Sequence, residues 1–219
     1  MQSRTLFSAF FMILILVLLL CALNAGKRYK AIGIAVARLD VALVFPLLGN
    51  FLIVFFDSMY PTLVGYYLFA IGLNYAIFEF IRFTKVYCNG SGQTKKLSLK
   101  LGYLLLADGI QMLLNPFTGH AFTVEEIVME EHAYFKLVPL AGQMIHRVVC
   151  YAVLFFLIVV YFQATKQASK IYRERYSVIL VSLVAIVLWE SFYVFTLTPI
   201  DSSIVGLGLF GILLFYFSA

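Results

Sequence analysis

Apolar residues fall in seven long blocks along this chain, at 5–25, 33–57, 62–83, 98–117, 142–165, 177–197 and 200–219. Each approaches the roughly 20 residues that carry an α-helix across the hydrocarbon core of a bilayer. A single segment in lipid can satisfy its own backbone amides and carbonyls only by coiling. The pattern therefore predicts an all-α membrane protein, a seven-transmembrane-helix bundle filling residues 1–219 as one domain. Of the second, fourth and sixth connections only 118–141 is long. Its stretches 121–126 and 134–139 could pair as a small hairpin lid, and a disordered acidic loop is the equal alternative, because no strong turn dipeptide separates them.

The first block could be a secretory signal, but three features speak for a retained helix. It is longer than the usual 7–15 apolar residues, Leu23-Asn24-Ala25 lacks the small residue a cleavage site wants, and Lys27, Arg28 and Lys30 follow it. Leu20 before Cys21 likewise speaks against lipoprotein processing.

Composition agrees with the pattern. The chain is 63% hydrophobic and 12% charged, with a mean hydropathy of +0.97. Soluble domains carry about 25% charged residues, and a water-soluble fold could not hide this much apolar surface. The net charge of +5 comes in short blocks between apolar runs, which orientation in a membrane explains better than nucleic-acid binding, so no nucleic-acid partner is expected. Cys21, Cys88 and Cys150 are scattered and imply no disulfide framework.

Charge sets the expected direction. Lys27, Arg28, Lys30, Arg82, Lys85, Lys95, Lys96, Lys100, Lys166, Lys170, Arg173 and Arg175, twelve of the sixteen basic residues, belong to the first, third and fifth connections. These should face the cytoplasm. The other connections hold Asp57, then Glu125, Glu126, Glu130 and Glu131, then Asp201, with Lys136 the lone cation. The amino terminus is thus expected outside and the carboxyl terminus inside a cytoplasmic membrane.

Ionisable side chains inside such spans are costly and are functional candidates. Arg38, Asp40 and Glu79 lie near cytoplasmic ends and read as interfacial anchors. Deeper in, counting about 1.5 Å per residue, Asn50, Asp108, Arg147 and Glu190 share one level roughly 7–11 Å below the outer boundary. Gln111 follows Asp108 by three residues and Tyr193 follows Glu190 by three, so each pair shares a helix face. Tyr66 and Tyr67 reach a similar depth, and His146 adjoins Arg147. The candidate ligand-binding set is Asn50, Tyr66, Asp108, Gln111, His146, Arg147, Glu190 and Tyr193. An interhelical salt bridge from Arg147 to Asp108 or Glu190 is the structural alternative, and the two readings are compatible.

Trp189, Tyr193, Tyr134 and Phe135 could line the same pocket or act as interface anchors. Pro46 could bend the second helix, and Gly206, Gly208 and Gly211 suit close packing of the seventh.

Several chemistries find no support. The last block has no lysine for a retinal Schiff base, and no HExxH, GxSxG or phosphate-cradling glycine loop occurs. His120, His132 and His146 have no close metal-ligand spacing. Neither a catalytic site, a metal nor a cofactor is expected, and no internal repeat of the transporter kind is evident.

Two stretches carry a resemblance. Leu113-Leu114-Asn115-Pro116-Phe117-Thr118-Gly119-His120 resembles an Asn-Pro-Leu-His element that closes the fourth helix in the amino-terminal seven-transmembrane sensor region of bacterial histidine kinases and diguanylate cyclases. The run from Tyr172-Arg173-Glu174-Arg175-Tyr176 to Thr198-Pro199-Ile200-Asp201, ahead of a small-residue-rich seventh helix, is similar to the same family in order and spacing. The resemblance implies a receptor role in two-component or cyclic-di-GMP signalling, with an unknown small-molecule ligand and no catalysis in this region. Output would pass through the seventh helix to a cytoplasmic domain beyond 219, within a homodimer. A small transporter or permease, with Asp108, Arg147 and Glu190 along its path, is the alternative.

Overall fold

The computed structural model describes residues 2–28, 30–88, 100–129, 132–196 and 201–218. The chain forms α1 (Gln2–Gly26), α2 (Ala31–Phe55), α3 (Met59–Tyr87), α4 (Lys100–Leu113), a short α5 (Asn115–Thr118), strands β1 (Phe122–Met129) and β2 (His132–Pro139), then α6 (Ala141–Gln167), α7 (Lys170–Thr196) and α8 (Ile204–Ser218). Lys95, Lys96, Glu130, Glu131 and Thr198-Pro199-Ile200 lie outside the described residues.

Five helices, α1, α2, α3, α6 and α7, are long and apolar enough to cross a membrane. The expectation of a mainly helical membrane bundle holds at that level. The fourth and seventh blocks give shorter helices than expected, of 14 residues in α4 and 15 in α8. At 1.5 Å per residue these reach only about 21 and 22 Å. The cause at α4 is local: Pro116 at the first turn of α5 cannot continue the preceding helix, so the apolar block breaks at Leu114. At α8, residues 201–203 are spent in a turn in which Asp201 accepts a hydrogen bond from the Ser203 amide at 2.9 Å.

Consecutive long helices run antiparallel. At one end, Arg4 of α1 donates to the Val54 and Phe55 carbonyls at the end of α2, pairs with Asp57, and lies 5.7 Å from the Tyr134 ring of β2. This is the hairpin end. At the opposite end Arg28 sits over the Phe215 ring of α8 at 4.9 Å, and Tyr176 of α7 donates to the Tyr87 carbonyl of α3 at 3.3 Å. Lys166, Lys170, Arg173 and Arg175, expected in a connection, lie instead on the facing ends of α6 and α7, which only residues 168 and 169 join.

Between α2 and α3 the backbones themselves come into contact. A Cβ at Gly49 would come 2.6 Å from the Gly65 carbonyl, and one at Gly65 would come 2.7 Å from the Gly49 carbonyl, so the two backbones touch where neither has a side chain. Pro46 packs against Gly72 in the same interface. Gly208 and Gly211 of α8 admit Leu14 and Leu18 of α1, in line with the packing role expected of them. One core, including Leu18, Leu39, Phe83, Leu105, Tyr161, Ile179 and Leu214, runs through all seven helices other than α5; a smaller one gathers Ala70, Met112, Ala121 and Phe122 beneath the hairpin.

The interfacial reading of Asp40 fails. Its side chain is fully enclosed, because α8 crosses α2 there with Gly211 placed against its carboxylate. Glu79 is also buried but reaches Arg82 one turn on at 3.0 Å, and Arg38 is exposed.

The connection 118–141 forms the hairpin rather than a disordered loop. β1 and β2 pair antiparallel from Phe122 opposite Pro139 to Met129 opposite His132, so the fold is helical with one β-hairpin across one end. Asn115 fastens it. Asn115 turns to β1: Oδ1 accepts from the Ala121 and Phe122 amides at 2.7 and 3.3 Å, while Nδ2 donates to the Phe122 carbonyl at 2.9 Å and the Tyr67 hydroxyl at 3.1 Å. Gly119 adopts φ 61°, the left-handed conformation that ends α5 and frees the chain to turn back.

Candidate functional site

Beneath the hairpin, α2, α3, α6, α7 and α8 enclose a cavity of about 130 Å³, roofed in part by β2. One ordered water needs only about 10–15 Å³ by the same measure, so the space admits several waters or a small organic molecule. Of the eight candidates, Asn50, Tyr66, His146, Arg147, Glu190 and Tyr193 line it, against apolar walls from Ile53, Phe69, Leu73 and Leu207. Asp108 and Gln111 do not. They stand behind His146 in a network that reaches the cavity through it.

That network is built from three helices. Asp108 on α4 is 4% exposed and has one carboxylate oxygen 2.5 Å from His146 Nδ1 on α6 and 2.7 Å from Asn74 Nδ2 on α3. Its other oxygen accepts from Gln111 Nε2 at 3.1 Å, which puts the expected i, i+3 pair to use. Gln111 Nε2 also donates to the Gly142 carbonyl, and its Oε1 lies 2.8 Å from His120 Nε2, tying α4 to the start of α6. Asn74 completes the cluster by accepting from the Cys150 thiol at 3.3 Å. Cys150 sits one turn after His146, with its sulfur 3.9 Å from both ring nitrogens.

The expected salt bridge is absent. Among the described residues no ion pair joins Arg147 to Asp108 or Glu190, and the partner of Asp108 is His146. Helical geometry explains this: adjacent positions on α6 point about 100° apart, so His146 turns toward α4 and Arg147 toward the cavity.

On the far wall, Glu190 and Asp201 converge on one hydroxyl. Ser203 Oγ is 2.6 Å from Asp201 Oδ1 and in short contact with Glu190 Oε2. A hydroxyl has one proton to give, so if it donates to one carboxyl, the other must itself be protonated to donate in return. Burial, and then the nearby Glu190 charge, push the Asp201 carboxyl up to about 7. Asp201 lies in the connection ahead of α8 and was expected in an outer loop; Asn50 holds its carbonyl inward at 3.2 Å.

The lid is held by Tyr66. Its hydroxyl donates to the Phe135 carbonyl at 2.8 Å and accepts from the Leu137 amide at 3.1 Å. Phe135 and Leu137 are two apart in a strand, so these groups share the edge facing away from β1. The tyrosine thus stands in for a third strand. Of the aromatic residues proposed for the pocket wall, Tyr193 lines the cavity, Tyr134 lies under Arg4, and Trp189 is 45% exposed, as an interface anchor would be.

Asn74, Cys150, Asp201 and Ser203 belong to the site and were not among the candidates. The four-residue step from His146 to Cys150 was the one signal available for them. The cavity joins an acidic pair and a guanidinium to an apolar chamber, which suits a small molecule with both a polar end and an apolar body. Comparison with known proteins adds nothing to this geometry: no protein-family model fits the chain, and no curated protein matches its sequence.

Proposed function

We propose that the chain is the transmembrane sensory domain of a bacterial signalling protein, binding a small molecule in the cavity beneath the hairpin. In this reading α4 with α5, and α8, complete seven crossings. The hairpin end faces outward, the cationic end lies in the cytoplasm, and α8 carries output to a kinase or diguanylate cyclase domain in a homodimer. The observation that supports it is the partly roofed cavity, where charged groups from α6, α7 and the α7–α8 connection meet under a hairpin held by side-chain hydrogen bonds. Binding can switch output only if the ligand prefers one helix arrangement to another. Glu190 and the cavity-lining Ile204 and Leu207 lie on the two helices nearest the output, where such a preference would act.

Trp189 is the one tryptophan; it is half-exposed on α7 beside Glu190, so it reports on movement of that helix when the cavity fills. The chain in detergent is screened against small polar metabolites by tryptophan fluorescence. A compound that shifts the emission of the wild type but not of Arg147→Ala or Glu190→Ala supports the reading. A response that both variants retain removes the site from this cavity. Flux of the same compound into proteoliposomes would favour a transporter. For the topology, Glu125→Cys should react in intact cells with a thiol reagent that cannot cross the membrane while Lys27→Cys is protected; the reverse pattern overturns the orientation.

A further inference from the structure

Asp108, His146 and Cys150 come from α4 and α6, yet their donor atoms all lie within 4.8 Å of one another. Each side chain is buried, at 4, 2 and 4% exposure. A carboxylate, an imidazole and a thiol packed this closely inside an apolar bundle offer one oxygen, one nitrogen and one sulfur to a common point. We propose that these three residues form a binding site for a divalent metal ion of the zinc class, with the fourth coordination position open to the cavity.

Donor chemistry selects the ion. Calcium and magnesium want oxygen ligands throughout, and a soft ion such as copper(I) wants sulfur, whereas a mixed oxygen, nitrogen and sulfur set suits zinc. Charge selects it again. A carboxylate, a thiolate and a neutral imidazole sum to two negative charges, so a divalent ion leaves the buried site neutral, and burying an uncompensated charge is costly.

Geometry is close to what is needed. With about 2.3 Å to sulfur and 2.0–2.1 Å to nitrogen, near-tetrahedral coordination puts those two donors roughly 3.6 Å apart. Cys150 Sγ is 3.9 Å from both His146 ring nitrogens, so a turn of the thiol about its Cα–Cβ bond or of the imidazole ring is needed to bring sulfur to the Nδ1 side, where the ion binds. Asp108 Oδ2 and His146 Nδ1, at 2.5 Å, share a proton in the metal-free chain. Coordination separates them to about 3.3 Å as the ion takes that place. The imidazole proton moves from Nδ1 to Nε2, and the thiol proton is released to solvent.

The surrounding shell already supports such a site. Asn74 Nδ2 and Gln111 Nε2 each donate to Asp108, fixing its orientation as the outer partners of metal ligands do. His146 and Cys150 also line the cavity, which leaves one side of the ion free for water or for a ligand donor and provides its way in. Three protein ligands with one open position is the pattern of a zinc ion that binds an exchangeable molecule rather than one that only staples a fold. The site stands whether or not the cavity receives a signal.

Cobalt(II) is the probe. The full 219-residue chain, purified in detergent and stripped with a chelator, is titrated with cobalt(II) and followed by absorption. One equivalent should produce d–d bands and a thiolate-to-cobalt charge-transfer band, both bleached by equimolar zinc. Cys150→Ser should abolish the charge-transfer band, and Asp108→Asn and His146→Ala should each weaken zinc binding by about 10- to 100-fold or more. The double variant Cys21→Ser/Cys88→Ser leaves Cys150 as the one thiol and should keep the full band, so the assignment survives even if Cys150→Ser does not fold. A wild type without the charge-transfer band at saturating cobalt, or a band lost in the double variant, overturns the proposal. Neither result depends on a signalling response.

Discussion

Removing one oxygen atom from Tyr66 tests how the lid is held. Tyr66→Phe keeps the ring against Phe122, 5.9 Å between centroids, and deletes only the hydroxyl that serves both the Phe135 carbonyl and the Leu137 amide. Each such bond contributes about 0.5–1.5 kcal/mol net, so docking of β2 should weaken by about 1–3 kcal/mol. At 1.4 kcal/mol per factor of ten, the hairpin should open roughly 5- to 150-fold more often. Hydrogen–deuterium exchange read by mass spectrometry on the full chain is the assay. Peptides containing Leu137 should exchange faster by that factor, and helix α3 itself should not change. Tyr60→Phe, on the same helix and 82% exposed, is the control and should have no effect. Exchange at Leu137 within a factor of two of the wild type would show that β1 and the packing of Phe122 hold the lid without the tyrosine.

Asn115→Ala leaves the buried Ala121 and Phe122 amides without their acceptor, at about 1–3 kcal/mol for each group so stranded; thermal unfolding in detergent should show a loss of several degrees, and a melting point equal to that of the exposed-site control Val128→Thr would refute the corner's role. Gly49→Ala forces a methyl group into the backbone of α3 and should destabilise by about 1–3 kcal/mol, read by the same melts, while an unchanged melting point would mean the helices part at no cost. Burial, and then the Glu190 charge, push the Asp201 carboxyl up from an ordinary 3.8 to about 7, so above the ordinary value the folded state holds a proton that the unfolded state has released. Stability should therefore fall as pH rises from about 4 to about 7 and level off above, and Asp201→Asn should remove that slope; an identical pH profile in the variant would refute it.

Periodicity and composition were sufficient for the helices, because lipid leaves an apolar segment no other way to satisfy its backbone. A fixed rise per residue grouped Asn50, Asp108, Arg147 and Glu190 at one height; Asn50, Arg147 and Glu190 line the cavity, and Asp108 stands behind it. What a linear count cannot supply is rotation about each helix and which helices touch. His146 and Arg147 are neighbours in sequence and face different partners, and Asp108 meets the histidine rather than the arginine. Asp40, near a helix end by count, is enclosed because α8 crosses it there. The hairpin needed Asn115, Tyr66 and Tyr67 from two helices to hold it, none of them within its own strands. Local sequence determined which segments coil and how far along its helix each polar group lies, since those depend on solvent and helical rise alone. The tertiary structure decided which polar groups meet, since that depends on side chains from α3, α4, α6 and α7 sharing a few ångströms of space.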